Sequence, residues 1–293
     1  LAYTSATFAE NIVSGYDLFD CETVDSRGIS LPMLPAGSTW ESGGQIYEAG
    51  NNVTSDLALR QAMSIALDRD LAIKHTLGGF GTPAFSVSDG MPWASEDMRV
   101  ETDVERAKTI LAEGGWAAGS DGVLAKGDVR AEFDLLYMAP DTVRQALAAD
   151  FAEQMAALGI KVNVQGLSWD ELEPQSYSQA ILWGWGSNSP VEIYELNHSD
   201  GWGDYACRKS DATDGYLEQA VSQTDIADSC EYYRLAQWDG QVGVAPEGAA
   251  TWVWLANVDH LYFEREGLIV AEQKPHPHGH GWSIINNVDK WSW

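Results

Sequence analysis

The apolar positions change period twice between Glu132 and Val164, and this stretch organises the chain. Glu132 to Met138 (EFDLLYM) is a short apolar run, which predicts a strand buried on both faces. Asp141 is placed to cap a helix, because its carboxylate can accept from the free amides of the next turn. Val143, Leu147, Phe151, Met155 and Leu158 then recur every three or four positions, as on one helix face, and Gly159 stops the helix. Ile160, Val162 and Val164 alternate with polar residues as a strand does. Two strands joined by a crossover helix lie parallel, and ligands of open α/β sheets sit at the carboxyl ends of such strands. Here that end is Tyr137-Met138-Ala139-Pro140.

The same reading predicts one helix over residues 55–77, capped by Ser55 and ended by Gly78-Gly79. A capping box, Thr102 to Glu105, opens a short helix that ends at Gly114-Gly115. Gln179 to Trp185 (QAILWGW) reads as a buried strand that runs into the loop Gly186-Ser187-Asn188-Ser189-Pro190. Residues 215–224 and 226–239 read as surface helices, and 251–256 as a strand. Residues 1–54 are punctuated by Pro and Gly and read as irregular. The fold class is α/β with extra helices and no internal repeat.

Composition narrows the partners. The formal charge of −27 argues against a phosphate backbone, so nucleic acid is not expected. No run of about 18 apolar residues is present that would span a membrane. Leu1-Ala2-Tyr3-Thr4 lacks the basic start and apolar core of a signal peptide, and the chain reads as opening within a domain. Cys21, Cys207 and Cys230 make no disulfide framework; a Cys207–Cys230 pair and three unpaired thiols remain equal alternatives. Thirteen tryptophans are many for 293 residues, and Trp is a large rigid group suited to clefts as well as cores.

Four stretches resemble one family. They are LRQAMSIALDRDLAIKHTLGGFGTPA (Leu59 to Ala84), ERAKTILAEGGW (Glu105 to Trp116), the central unit with its LGIKVNV strand, and ILWGWGSNSP (Ile181 to Pro190). Taken in order, they are similar to the carboxyl-terminal part of the extracellular solute-binding proteins of ABC importers, the dipeptide/oligopeptide/nickel branch (family 5). The resemblance implies a type II periplasmic-binding-protein-like lobe with a mixed or parallel sheet flanked by helices, plus remnants of the other lobe. It assigns residues 1–54 and 266–293 to lobe one and 55–265 to lobe two, with about the first half of a full-length member lying before Leu1. It also implies an ABC permease as partner, an extracellular or periplasmic location, and membrane contact only through a lipid anchor on the amino-terminal part. The implied ligand is peptide-like, with a nickel or other metal chelate as the alternative.

Candidate ligand contacts follow from the strand ends. Trp183 and Trp185 share one strand face and can stack on a ligand, and Asn188 can hydrogen-bond it. Dipeptide binders of the family often carry an Asp in this loop; here there is none, and Glu192 is the substitute. Tyr137 and Arg144 flank the other strand end, where Arg144 can hold a carboxylate bidentately. His276, His278 and His280 offer three imidazoles in five residues, a donor set suited to Ni²⁺, Cu²⁺ or Zn²⁺. No resident cofactor and no catalytic constellation is legible. The rival class, an extracellular α/β hydrolase, needs a nucleophile, base and acid that the sequence does not display.

Overall fold

The computed structural model describes residues 1–9, 11–279 and 284–293. A six-stranded sheet dominates it. In chain order its strands are β1 (Ser26–Ser30), β2 (Gly81–Pro83), β3 (Glu132–Met138), β4 (Lys161–Leu167), β5 (Ala180–Trp185) and β6 (Trp252–Val258), and their spatial order is β4-β3-β5-β1-β6-β2. β3 pairs parallel with both β4 and β5, while β1 and β2 run antiparallel to their neighbours. The carboxyl ends of β3, β4, β5 and β6 therefore share one edge with the start of β1, where Ser26 faces both Trp185 and Asn257.

The central unit forms as its periodicity predicts. Asp141 caps the helix Thr142–Ala156 through the Arg144 amide, Leu147, Phe151 and Met155 are fully buried, and Gly159 takes φ +79°. The sheet is covered on both faces. In β6, Val253 and Leu255 join the core under the helices Leu57–Ala66, Val104–Glu113 and Thr142–Ala156. Trp252 and Trp254 point the other way, into a second core with Tyr177, Ile193, Leu217 and Tyr233.

Three expectations need correction. The helix expected over 55–77 is two, Leu57–Ala66 and Arg69–Thr76, capped by Asp56 and Asp68. Leu67 between them is extended and buried, so the chain turns to bury both ends against the core. The helix Val104–Glu113 is capped by Asp103; Thr102 instead donates to the Leu67 carbonyl at 3.0 Å. The third correction is the largest. Residues 1–54, expected to be irregular, contain five strands among the described residues, and Ser26–Ser30 is a fully buried strand inside the six-stranded sheet. The reason is size. Gly28 lies opposite both Trp183 and Trp254, and a Cβ there would stand 2.4 Å from the Trp254 ring. A separate three-stranded sheet is built from Ala2–Thr4, His260–Arg265 and Tyr16–Cys21, in that order. The chain thus passes between these two sheets at residues 22–25 and 259. All three cysteines are buried and unpaired.

Candidate functional site

The shared strand edge carries an aromatic platform. Trp183 stacks on Tyr205 with ring centres 4.3 Å apart and planes 10° from parallel. Its Nε1–H donates to Ser30 Oγ at 3.0 Å, which fixes the ring from below. Trp169, just past the end of β4, meets Trp183 edge-on at 6.1 Å. Trp202 meets Trp185 at 5.3 Å. The inner rings are partly covered, whereas Trp169 is 47% and Trp202 53% exposed, so the platform is open along its outer rim. The Trp185 Nε1–H is buried and has no acceptor among the described residues.

On the opposite face of β5 the space over Gly184 is filled by two side chains. A Cβ at 184 would stand 2.4 Å from His278 Cε1 and 2.7 Å from Arg144 Nη2. Arg144 is only 9% exposed, not a solvated helix charge; its Nη1–H donates to Asp141 Oδ2 at 2.8 Å while its Nε–H has no acceptor. Burial, and then the neighbouring Arg27 cation, lower its pKa.

The remaining expected residues divide. Tyr137 is 7% exposed, belongs to the main core and packs its ring on Gly166 across the β3–β4 ladder, so it does not line the edge. Asn188 is exposed and spends its amide on the Pro275 carbonyl at 3.4 Å. Glu192 accepts from the Gly186 amide at 2.9 Å and closes its own loop. Burial pushes the Glu192 carboxyl up to about 7, against the Gly186 bond, with Asp25 adding to the rise. A carboxyl raised from 4.5 to about 7 is protonated in the fold and ionised in the unfolded chain between those pH values, so its share of stability falls as pH rises through that window. Glu192→Gln is therefore expected to match the parent at pH 4 and exceed it at pH 8 by about 1–3 kcal/mol, read as urea midpoints at the two pH values.

His276 is fully buried, with Nδ1 3.3 Å from His260 Nδ1. Burial, and then His260, lower its pKa to about 4. His278 Nδ1 lies 2.5 Å from Asp25 Oδ1. His280 lies outside the described residues. Among the described residues no group of three or more His, Cys, Asp and Glu side chains is disposed to hold a metal ion.

Sequence reasoning reads His260 as a lone structural histidine and singles out neither Asp25, Arg27 nor Tyr205, which have no local signature, nor Trp169 and Trp202, for which the high tryptophan count was the available signal. The Asp25 carboxylate takes both terminal nitrogens of Arg27, His260 Nε2 at 3.1 Å and His278 Nδ1. Burial alone would raise its pKa; Arg27 and the two imidazoles outweigh burial and hold it well below the usual carboxylate range. Cavities of about 350 and 620 Å³ open around Trp40 and Lys209, and one of about 300 Å³ near Thr82 and Asp259; the platform itself is an open face.

Residues 30–205 match the family described as bacterial extracellular solute-binding proteins, family 5 Middle. Protein XP55 of Streptomyces lividans is 32% identical over 88% of this chain and 44% of its own length. The oligopeptide-binding protein AppA of Bacillus subtilis is 26% identical over 82% of this chain and 45% of its own. The fold is shared with NikZ of Campylobacter jejuni in complex with Ni(L-His), at a TM-score of 0.78 and 18% identity over 99% of this chain and 57% of that one. It is shared also with AppA of B. subtilis in complex with a nonapeptide, at a TM-score of 0.73 and 22% identity over 99% of this chain and 56% of that one. The chain spans about half the length of the curated relatives it matches.

Proposed function

The chain belongs to the bacterial extracellular solute-binding proteins of family 5, and from that premise we propose that it captures a peptide-like solute for an ABC importer. The observation that carries this reading is the open aromatic platform at the common end of parallel strands, where α/β sheets take their ligands. In this reading the six-stranded body from β1 to β6 is one lobe, and residues 1–21 and 260–293 belong to the other. The rims Trp169 and Trp202 take apolar side chains of the ligand, and Asn188, whose Nδ2–H is held by the Pro275 carbonyl, offers its Oδ1 to the ligand backbone. Arg144, on the opposite face of β5 with its Nε–H buried and without an acceptor among the described residues, is the proposed contact for a ligand carboxylate. The lobes close over the ligand by hinge motion, and the closed form docks on the permease.

Homologues of this chain are substrate-binding proteins, and no nucleophile-base-acid set is needed for capture without turnover. Family 5 proteins are extracellular or periplasmic, and no helix among the described residues is long and apolar enough to cross a membrane. A lipid anchor belongs to the same reading.

A second reading, a nickel or metal chelate as ligand, draws on the gathering of His260, His276 and His278, with His278 on the face of β5 opposite the platform. A chelate that brings its own donors suits an arrangement whose described imidazoles are already engaged by Asp25 and by each other. Calorimetric titration of the full-length protein with a peptide mixture, and separately with nickel-histidine, tests both. Saturable heat with peptides is the expected result; heat only with the nickel chelate would move the assignment to the second reading, and heat with neither would sink capture of either ligand.

A further inference from the structure

Every described passage of chain between the two larger sheets meets at one carboxylate. The first passage, residues 22–25, is locked to the second by two bonds and braced by one of its own. Thr23 Oγ1 donates to the Val258 carbonyl at 2.8 Å and accepts from the Asp25 amide at 2.9 Å, and the Val258 amide donates to the Asp25 carbonyl at 2.9 Å. A third passage returns after the strand His260–Arg265 and lies across the strand tips. The His276 amide donates to the Glu22 carbonyl at 3.1 Å and the Val24 amide to the His276 carbonyl at 2.8 Å. The His278 amide donates to the Gly186 carbonyl at 2.8 Å, and Asn188 reaches Pro275.

The Asp25 side chain, 5% exposed, stands where these passages cross. It holds Arg27 in β1 just after the first passage, His260 at the start of the strand after the second and His278 from the third. A neutral imidazole donates from one nitrogen only, so the carboxylate sets the proton of His260 on Nε2 and that of His278 on Nδ1. His260 Nδ1 lies 3.3 Å from His276 Nδ1, and His276 Nε2 3.4 Å from Gln273 Oε1. A buried carboxylate is tolerated only while its partners are in place, since removing one leaves charge uncompensated. The crossing is therefore held as a discrete arrangement of three passages rather than a continuum.

We propose that Asp25 is the positioning residue of the ligand cleft: it holds His278 over Gly184 and so fixes the return segment Pro275–His278 against the Gly186–Asn188 loop at the edge where the solute is received. The inference rests on the solute-binding reading for its consequence and on the geometry alone for its mechanism. Asp25 does not touch the solute; it acts through His278 and the loop.

The test uses Asp25→Asn in the full-length protein, with two readouts. Without ligand, amide exchange at Val24, His276 and His278 is expected to quicken at least about tenfold, because local opening no longer breaks a charged bond. With a peptide mixture, compaction seen by X-ray scattering is expected to shrink and Kd to rise by at least about tenfold. His260→Ala, which removes one donor from the second passage, is expected to move both readouts in the same direction by less, and serves if Asp25→Asn does not fold. Unchanged exchange in both variants overturns the positioning role whatever the ligand. Quickened exchange with unchanged Kd and compaction overturns the link to capture. A parent protein that binds neither peptide nor nickel-histidine sinks the solute-binding reading, while the exchange comparison still decides the role of Asp25.

Discussion

Gly186→Ala is expected to destabilise the chain by about 3 kcal/mol or more, and to do so at the loop that follows the platform strand. Two effects add. Gly186 has φ +128°, a region that residues with a Cβ rarely enter. The methyl group would also stand 1.6 Å from the Val24 carbonyl oxygen and 2.7 Å from its carbon. Neither partner can retreat. The Val24 carbonyl accepts from Ser26 at 2.9 Å and its amide donates to His276. The Gly186 amide is held by Glu192 and its carbonyl by His278. Gly122→Ala separates the two effects, since Gly122 has φ +85° and a methyl group there would meet nothing within 4 Å. That control is expected to cost about 1 kcal/mol, from backbone strain alone. Urea midpoints of the two variants against the parent are the measurement. Equal losses at the two positions would show that the strand-tip backbone is free to move, which contradicts the bonding described for Val24 and His278.

That crowding explains how much of the molecule was legible in its sequence. The β3–helix–β4 unit could be read because each of its signals is local: an apolar run, a helix period, a cap at Asp141 and a stop at Gly159 lie within 36 residues. The break at Leu67 carried a usable signal as well, since Asp68 can cap a new helix within an otherwise helical pattern. Ser26–Ser30 could not be read in this way. Gly28 and Ser30 are small where Trp183 and Trp254 fill the space on either side, and those partners lie more than 150 residues away in sequence. Strand propensity measures such packing more than any intrinsic preference, so a Ser-Arg-Gly stretch looks like loop until its neighbours are known. The same holds at Asp25, whose partners His260 and His278 are 235 and 253 residues distant. The histidines that invite a metal reading at 276 and 278 lie against His260 and Asp25, a carboxylate that no spacing rule connects to them.

The second large effect is expected at the centre of the platform. Trp183→Ala should cost about 3–5 kcal/mol, since it deletes a ring stacked on Tyr205 and leaves Ser30 Oγ, fully buried, without its donor. Trp183→Phe preserves an aromatic face for Tyr205 and loses mainly the bond to Ser30, so about 1–2 kcal/mol is expected. Trp169→Ala behaves differently. Its ring is 47% exposed and meets Trp183 only edge-on, so less than about 1 kcal/mol of stability is at stake, whereas a rim contact to the solute disappears. Loss of that contact is expected to raise Kd about tenfold, the equivalent of about 1.4 kcal/mol. Denaturant midpoints and calorimetric titration on the same three proteins separate the roles. If Trp169→Ala binds peptides as the parent does while Trp183→Ala loses only stability, the rings at this edge are core that happens to reach the surface, and the solute is held elsewhere.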